Sequence, residues 1–309
     1  MSAKSAEQKI LLEPNTLWNK TVAVTAAAKE TGALQPIETE HQFIEQNGIN
    51  FLVRNVANVI RKEKAKQQQK KKEQATGKYF DPFLPYEPDL FVSDITPTHL
   101  CLLNKFNVVD NHLLLVTRDF EEQTNLLNLN DFIALCACMQ QVDGLAFFNG
   151  GTAAGASQRH KHLQLVPLPF VPNTARLPIN PAIDQVNWVD SLGTIPGFTF
   201  SHAIAKLDSK MFQDPVSAAS TMLNCYQTLL SKVGLQCEPN AIEQPGCYNF
   251  LATRNWMLII PRQQESYQSI SINSLGFAGS LFVKKISDLE LLQTVSPIGL
   301  LSEVVGISK

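Results

Sequence analysis

An α+β fold, an antiparallel sheet with its helices segregated from it, is what this 309-residue chain predicts. Three observations point there. Short apolar runs of strand length recur at 98–106, 108–117, 145–149, 159–166, 247–252 and 256–260. Two longer segments, 130–141 and 215–232, space their apolar residues three or four apart, as a helix with one buried face does. Strands at 98–117, and again at 247–260, are separated by only a few turn residues, as in hairpins.

Taken in order, residues 3–31 mix helical periodicity with Pro14 and read as a broken helical start. A strand at 51–56 follows. From Arg61 to Gln74 the chain runs RKEKAKQQQKKKEQ, seven basic residues against two acidic ones and no large apolar group. The plain reading is a flexible basic excursion over 63–78; the functional one sets Arg61 and Lys62 against an anionic ligand. Residues 82–88, PFLPYEP, are too rich in proline for a helix or central strand and predict an ordered arm. Strands 98–106 and 108–117 flank a turn at Asp110-Asn111. Asn130-Asp131 caps a helix through Gln141, with Phe132, Leu135, Cys136 and Met139 on its buried side. Strand 145–149 then delivers Asn149. Residues 171–200 carry prolines and little periodicity, so a long connection is expected. Asp214-Pro215 opens the second helix, with Ala218, Met222, Cys225 and Leu229 along one side. The small-residue stretch 271–279 reads as a loop before a last strand near 281–284. Two similar halves would account for the recurrence of strands and helix.

Composition narrows the function. The chain is 44% hydrophobic and 17% charged, with a net charge of −2, which lacks the basic surface that nucleic acid demands. Six cysteines without a dense framework fit a reducing cytoplasm. The first residues carry no apolar run of a leader, and no window offers eighteen uncharged apolar residues, so no membrane association is expected.

Chemistry concentrates between Asn149 and Val166. Asn149-Gly150-Gly151-Thr152-Ala153-Ala154-Gly155-Ala156-Ser157-Gln158 is nearly free of bulky side chains, which lets backbone N–H groups approach an anion. If 159–166 is a strand, its alternation puts His160, His162 and Gln164 on one face. Such a histidine pair fits three readings: satisfied structural imidazoles, a metal pair, or a reactive site. A metal needs further ligands. His41, His99, His112 and His202 are scattered, and Cys136-Ala137-Cys138 lacks zinc-knuckle spacing, so no metal site is expected. The glycine loop beside the histidine strand favours phosphoryl chemistry.

Asn104-Lys105-Phe106, the run His112 to Arg118, Asn149-Gly150-Gly151, the loop Gly155 to Gln158, and His160-Lys161-His162-Leu163-Gln164 together resemble the histidine-triad (HIT) superfamily. More narrowly, with Asn273-Ser274-Leu275-Gly276-Phe277-Ala278-Gly279, they resemble its nucleotidyltransferase branch, the diadenosine tetraphosphate (Ap4A) phosphorylases or ATP adenylyltransferases. The resemblance implies a HIT-like sheet with flanking helices in a GalT-like arrangement. It implies one domain over 1–309, with a catalytic core at about 40–170 and a C-terminal part, about 200–309, completing the substrate site. The implied reaction is phosphorolysis of Ap4A to ATP and ADP through an adenylyl-histidine. Related uridylyl or ADP-sulfurylase-like transfer, and hydrolysis, are the alternatives. Carried over by position, His162 is the nucleophile, His160 its supporter and Gln164 the contact to the transferred phosphate. Asn149, Gly155, Ala156, Ser157 and Gln158 line the polyphosphate; Lys62, Asn104, Lys105, Asn273, Ser274, Ser280 and Lys284 are further substrate positions. Substrates would be Ap4A, ATP, ADP and phosphate. No cofactor is implied, and a divalent cation, Mg2+ or Mn2+, would travel with the polyphosphate.

These residue types suit such a transfer. A neutral imidazole offers a lone pair near pH 7 without prior deprotonation. An amide donates and accepts hydrogen bonds but has no proton to give or take near neutrality, so Gln164 is expected to favour phosphate over water as acceptor.

Overall fold

The computed structural model describes residues 9–55, 80–171, 174, 176–238 and 240–306. Lys62 and the basic excursion lie outside them. Helix α1 spans Leu17–Thr31, starting beyond Pro14 rather than running through it. Its first free N–H groups, of Thr16 and Leu17, donate to the Gln141 side chain. Strands β1 (Glu40–Gln46) and β2 (Ile49–Asn55) form a hairpin about Asn47-Gly48, both at positive φ. After the arm come β3 (Phe91–Thr96), β4 (His99–Leu103) and β5 (Leu113–Thr117). Helix α2 (Leu129–Gln141) begins two residues earlier than Asn130-Asp131 suggested: Asn128 is the cap, and Asp131 returns the bond as its third helical residue. Then follow β6 (Gly144–Gly150) and β7 (His162–Pro167).

The connection over 171–200 holds a short helix, α3 (Asn180–Ile183), and strand β8 (Leu192–Gly193). Beyond it lie β9 (Ala203–Lys206), α4 (Pro215–Lys232), β10 (Tyr248–Ala252) and β11 (Trp256–Pro261). Asp214 caps α4 through the N–H groups of Val216 and Ser217, with Pro215 in the first turn. The C-terminal part adds β12 (Ser266–Tyr267), β13 (Ile270–Ser271), α5 (Ser274–Phe277), β14 (Ser280–Val283), α6 (Ile286–Val295) and α7 (Pro297–Val305). Asn273 caps α5, so a turn of helix stands where a loop was expected.

Nine strands form one antiparallel sheet in the order β3-β4-β5-β7-β6-β10-β11-β9-β8. Two halves are visible in that order. β4-β5-β7-β6 and β8-β9-β11-β10 each run first, second, fourth, third strand, with a helix between the second and third, and they join at the β6–β10 seam. Helices α2 and α4, the equivalent pair, pack on each other across one face. Leu113, Leu115, Leu163, Leu165, Phe148, Phe250 and Ile259 bury that face beneath them. On the opposite face Phe147, Val166, Leu251, Leu258 and Ile260 pack under the C-terminal part and β2. A smaller apolar cluster, Phe83, Leu100, Leu102, Leu114 and Val116, covers the same face further along. Alternation therefore places His162 and Gln164, which pair with Val116 and Leu114 of β5, between these two clusters.

Candidate active site

Regular pairing of β7 starts at His162, and His160 keeps only an isolated bridge to Glu122; the strand is shorter than 159–166. The His162 backbone is held by Gln123. Its Oε1 accepts from the His162 N–H at 2.9 Å, while its Nε2 donates to the carbonyls of Asn149 and His162. One side chain thus ties the end of β6 to the start of β7.

His162 is 5% exposed. Its Nδ1 lies 2.8 Å from the His160 carbonyl, an acceptor, so Nδ1 carries the hydrogen and Nε2 keeps the lone pair. Burial pushes the ring down to about 4, against the opposing pull of the His160 carbonyl bond. At neutral pH it is an uncharged imidazole with Nε2 bare.

His160 is spent differently. Its Nε2 sits 2.8 Å from the Thr117 carbonyl and 2.9 Å from the Thr117 hydroxyl, and its Nδ1 sits 2.8 Å from an Asp81 carboxylate oxygen. Phe83, from the same arm as Asp81, packs on both rings, with centroids 5.6 Å from His160 and 5.3 Å from His162. Gln164 closes the row. Its Oε1 accepts from His112 Nε2 at 2.9 Å, and His112 Nδ1 accepts from the Asn104 amide at 3.2 Å. Both bonds are satisfied by one tautomer of His112, and they turn the Gln164 NH2 away from His112.

The glycine loop is a tight structure in its own right. Gly151, at φ +89°, starts a single turn over Thr152–Ala154, and Gly155 ends it at φ +90°. The N–H groups of Ala154, Gly155 and Ala156 donate back to the carbonyls of Gly151 and Thr152. Gly155 and Ala156 therefore shape the loop instead of offering amides to an anion. The exposed Ser157 is left to offer its N–H and hydroxyl, with Gln158 beside it. A side chain at Gly155 would come within 2.9 Å of the Asn273 Cβ, so the loop lies directly against the C-terminal part.

Asn149 and Ser274 differ from the expectation of open substrate contacts, because they are committed to each other. The Ser274 N–H and hydroxyl both donate to Asn149 Oδ1, at 3.0 and 2.7 Å, and Asn249 Nδ2 donates to the same oxygen at 2.9 Å. All three are buried. A short Arg262 bond to Asn249 Oδ1, 2.5 Å, extends the network, and Arg262 also donates to the carbonyls of Gln264, Glu265, Ile272 and Val304. Burial lowers the Arg262 guanidinium to about 10. These residues fasten α5 to the β6–β10 seam and so hold Asn273 against Gly155.

The remaining positions are more distant in the fold. Lys105 is half-exposed at the turn before β5 and pairs with Glu87 at 2.6 Å. Ser280 opens β14 beside Leu52 of β2, buried, and Lys284 follows the same strand at the surface. Among the described residues no group of three or more His, Cys, Asp or Glu side chains is arranged to hold a metal ion. Asp81, Phe83, His112, Thr117 and Gln123 were not singled out from sequence. His112 and Thr117 appear there only as members of the run 112–118, and Phe83 only within the proline-rich arm.

On the side of β7 facing the helices, Lys161 is fully buried. Its ammonium donates to Asp131 of α2 at 2.6 Å, to Glu121 at 3.1 Å and to the Leu126 carbonyl at 3.0 Å. His99 of β4 meets the other Asp131 oxygen at 3.1 Å. Against the cost of its own burial, Lys161 and His99 hold the Asp131 carboxyl below its usual range.

Comparison with known proteins covers most of the chain. A family model described as the Ap4A phosphorylase N-terminal domain matches residues 7–185, and one described as the ATP adenylyltransferase C-terminal domain matches residues 196–307. Diadenosine 5',5'''-P1,P4-tetraphosphate phosphorylase 2 of Saccharomyces cerevisiae is 29% identical over 238 residues, 69% of this chain and 71% of its own. Protein APA1 of the same yeast is 27% identical over 201 residues, 59% of this chain and 60% of its own. The crystal structure of yeast Ap4A phosphorylase Apa2 shares the fold, with a TM-score of 0.76 at 22% identity over 95% of each chain. Its complex with Ap4A gives a TM-score of 0.73 at 21% identity, over 95% of this chain and 98% of that one.

Proposed function

This chain belongs to the Ap4A phosphorylase family, and from that premise we propose that it converts Ap4A and inorganic phosphate into ATP and ADP, reversibly, through adenylylated His162. The observation that supports this most is the tautomer of His162: a neutral ring with Nδ1–H tied to the His160 carbonyl and Nε2 open.

The Nε2 lone pair attacks an α-phosphorus of Ap4A. The N–P bond forms as the bond from phosphorus to the bridging oxygen breaks, and ATP leaves with that electron pair. The ring becomes an adenylyl-imidazolium, and its Nδ1–H, already donated to a carbonyl, shares the positive charge. Inorganic phosphate then attacks the same phosphorus, ADP departs, and the neutral imidazole returns. Charge on the phosphoryl oxygens is met by donors already in place, here the Gln164 NH2 and the Ser157 N–H and hydroxyl. Asn149, Ser274 and Gly155 act by fixing the loop, and Asn104 by holding His112 against Gln164. Gln158, Asn273, Lys105, Lys284 and Lys62 are proposed to reach the rest of the dinucleotide, with any Mg2+ or Mn2+ carried on its phosphates. The six cysteines, free among the described residues, and the lack there of a helix long and apolar enough to cross a membrane support a cytoplasmic enzyme.

Incubation with Ap4A and phosphate should give ATP and ADP in equal amounts by ion-exchange chromatography. AMP in place of ADP would make water the acceptor and overturn phosphorolysis. Without phosphate, intact mass should show one adenylyl adduct that is absent from His162→Ala; an adduct on that variant would overturn the assignment of the nucleophile.

A further inference from the structure

His160 and His162 lie side by side under one aromatic ring, yet only one can serve as nucleophile. What separates them is a residue from outside the histidine strand. The Thr117 carbonyl can only accept, so His160 Nε2 carries a hydrogen. The other ring nitrogen faces Asp81 Oδ2 at 2.8 Å, where a bare lone pair would meet a carboxylate oxygen. One further proton therefore lies between the ring and Asp81, and the ring has no lone pair left to attack with. The pair is enclosed, with the His160 side chain 0% and the Asp81 side chain 12% exposed.

Asp81 is itself fixed. Its second oxygen accepts from the Phe83 N–H at 2.9 Å, so one carboxylate holds both the arm and the ring. The bonds then run in series: Asp81 to the His160 ring, and the His160 carbonyl to His162 Nδ1. Phe120, on the loop after β5, packs on the His160 ring at 5.4 Å, with Arg159 over the Phe120 ring and paired to Glu122. Among the described residues, Asp81 is the charged group that meets the His160 ring, with Arg159 and Glu122 beyond Phe120 and the neutral His162 beside it.

We propose that Asp81 is a positioning residue for the nucleophile: it removes the His160 lone pair by sharing a proton with that ring, and by fixing residue 160 it holds the carbonyl that sets the His162 tautomer. This rests on the adenylyl-transfer reading above. In this role no bond to Asp81 forms or breaks during the reaction, and both its oxygens are already occupied, by the His160 ring and the Phe83 N–H. The loss on removing it therefore falls on kcat and spares KM.

The test compares wild type, Asp81→Asn and Asp81→Glu. With 15N-histidine labelling, and His160→Gln to assign the signal, the His160 ring should show hydrogen on both nitrogens at pH 7.5 in wild type and on one in Asp81→Asn. Rapid-quench adenylylation of His162 should slow about tenfold or more in Asp81→Asn, with KM for Ap4A within about twofold, as expected for misplacing a reacting atom. Asp81→Glu, which restores the carboxylate, should recover part of the rate. A wild-type His160 ring with hydrogen on one nitrogen overturns the proposal, as does an unchanged rate in Asp81→Asn or a raised KM at unchanged kcat. If wild type fails to turn over Ap4A, the activity reading falls, while the labelling result still decides the Asp81–His160 proton.

Discussion

In the proposed mechanism His162 attacks only while neutral, and burial keeps it neutral far into acid. Ordinary histidine would lose its lone pair below about pH 6.5. With the ring held near about 4, single-turnover adenylylation should stay flat down to about pH 5 and fall about tenfold per unit below about pH 4. A rate already halved at pH 6.5 would contradict this. The same burial taxes the fold. Between 6.5 and about 4 the unfolded chain takes up a proton at His162 that the folded one refuses, so stability is full above 6.5 and declines as pH falls. His162→Gln removes that proton site, so its unfolding free energy relative to wild type should rise by about 3 kcal/mol between pH 7.5 and pH 4, measured by denaturant titration. How much of this was legible depends on the length scale of each interaction. His160, His162 and Gln164 share a face because a strand alternates, and spacing alone says so. That Asp81, 79 residues before His160, would close on that ring has no local signature. Nor does Asn149 announce that Ser274 will occupy its carbonyl oxygen.

At the scale of elements, capping shows where local chemistry suffices. Asp214-Pro215 marks the start of α4 without ambiguity, whereas Asn128 and Asn130 both suit a cap. The second case is decided by Asp131, three residues after Asn128, which completes the reciprocal bond. The glycine loop carries a sharper consequence. Gly155 combines φ +90° with a neighbour 2.9 Å from where a side chain would begin, while Gly234, at φ +78°, has nothing within 4 Å. Gly155→Ala should cost on the order of 1–3 kcal/mol and move the loop off Asn273, raising KM for Ap4A. Gly234→Ala should show only the backbone strain, about 1 kcal/mol, with kinetics unchanged. Thermal unfolding and initial rates on both variants check the pair. Equal kinetic effects would mean the loop's contact with Asn273 is immaterial.

Across the whole molecule, the two halves share one sheet but not one chemistry. β11 holds the place of β7 in the second half and reads Trp256-Met257-Leu258-Ile259-Ile260, with neither imidazole nor amide. Its contribution is pairing: β10 covers the edge of β6, and Asn249 and Ser274 complete Asn149. A fragment ending at residue 195 would bare that edge and half of the apolar face below α2. It should associate or precipitate, as size-exclusion chromatography would show, and stay soluble when residues 196–309 are produced with it. A monomeric, soluble fragment would show that the seam is dispensable. Lys161 bears on the same assembly. Since strand faces exchange with every one-residue slip, a shifted β7 would turn an ammonium toward the polyphosphate and bury two imidazoles beside Asp131. The carboxylate on the other side, Asp81, is already taken by the His160 ring and the Phe83 N–H, so the Lys161 ion pairs with Asp131 and Glu121 act as a key that favours one register where the chain enters β7, and the proposed reactive face is proofread by a charge outside the proposed mechanism.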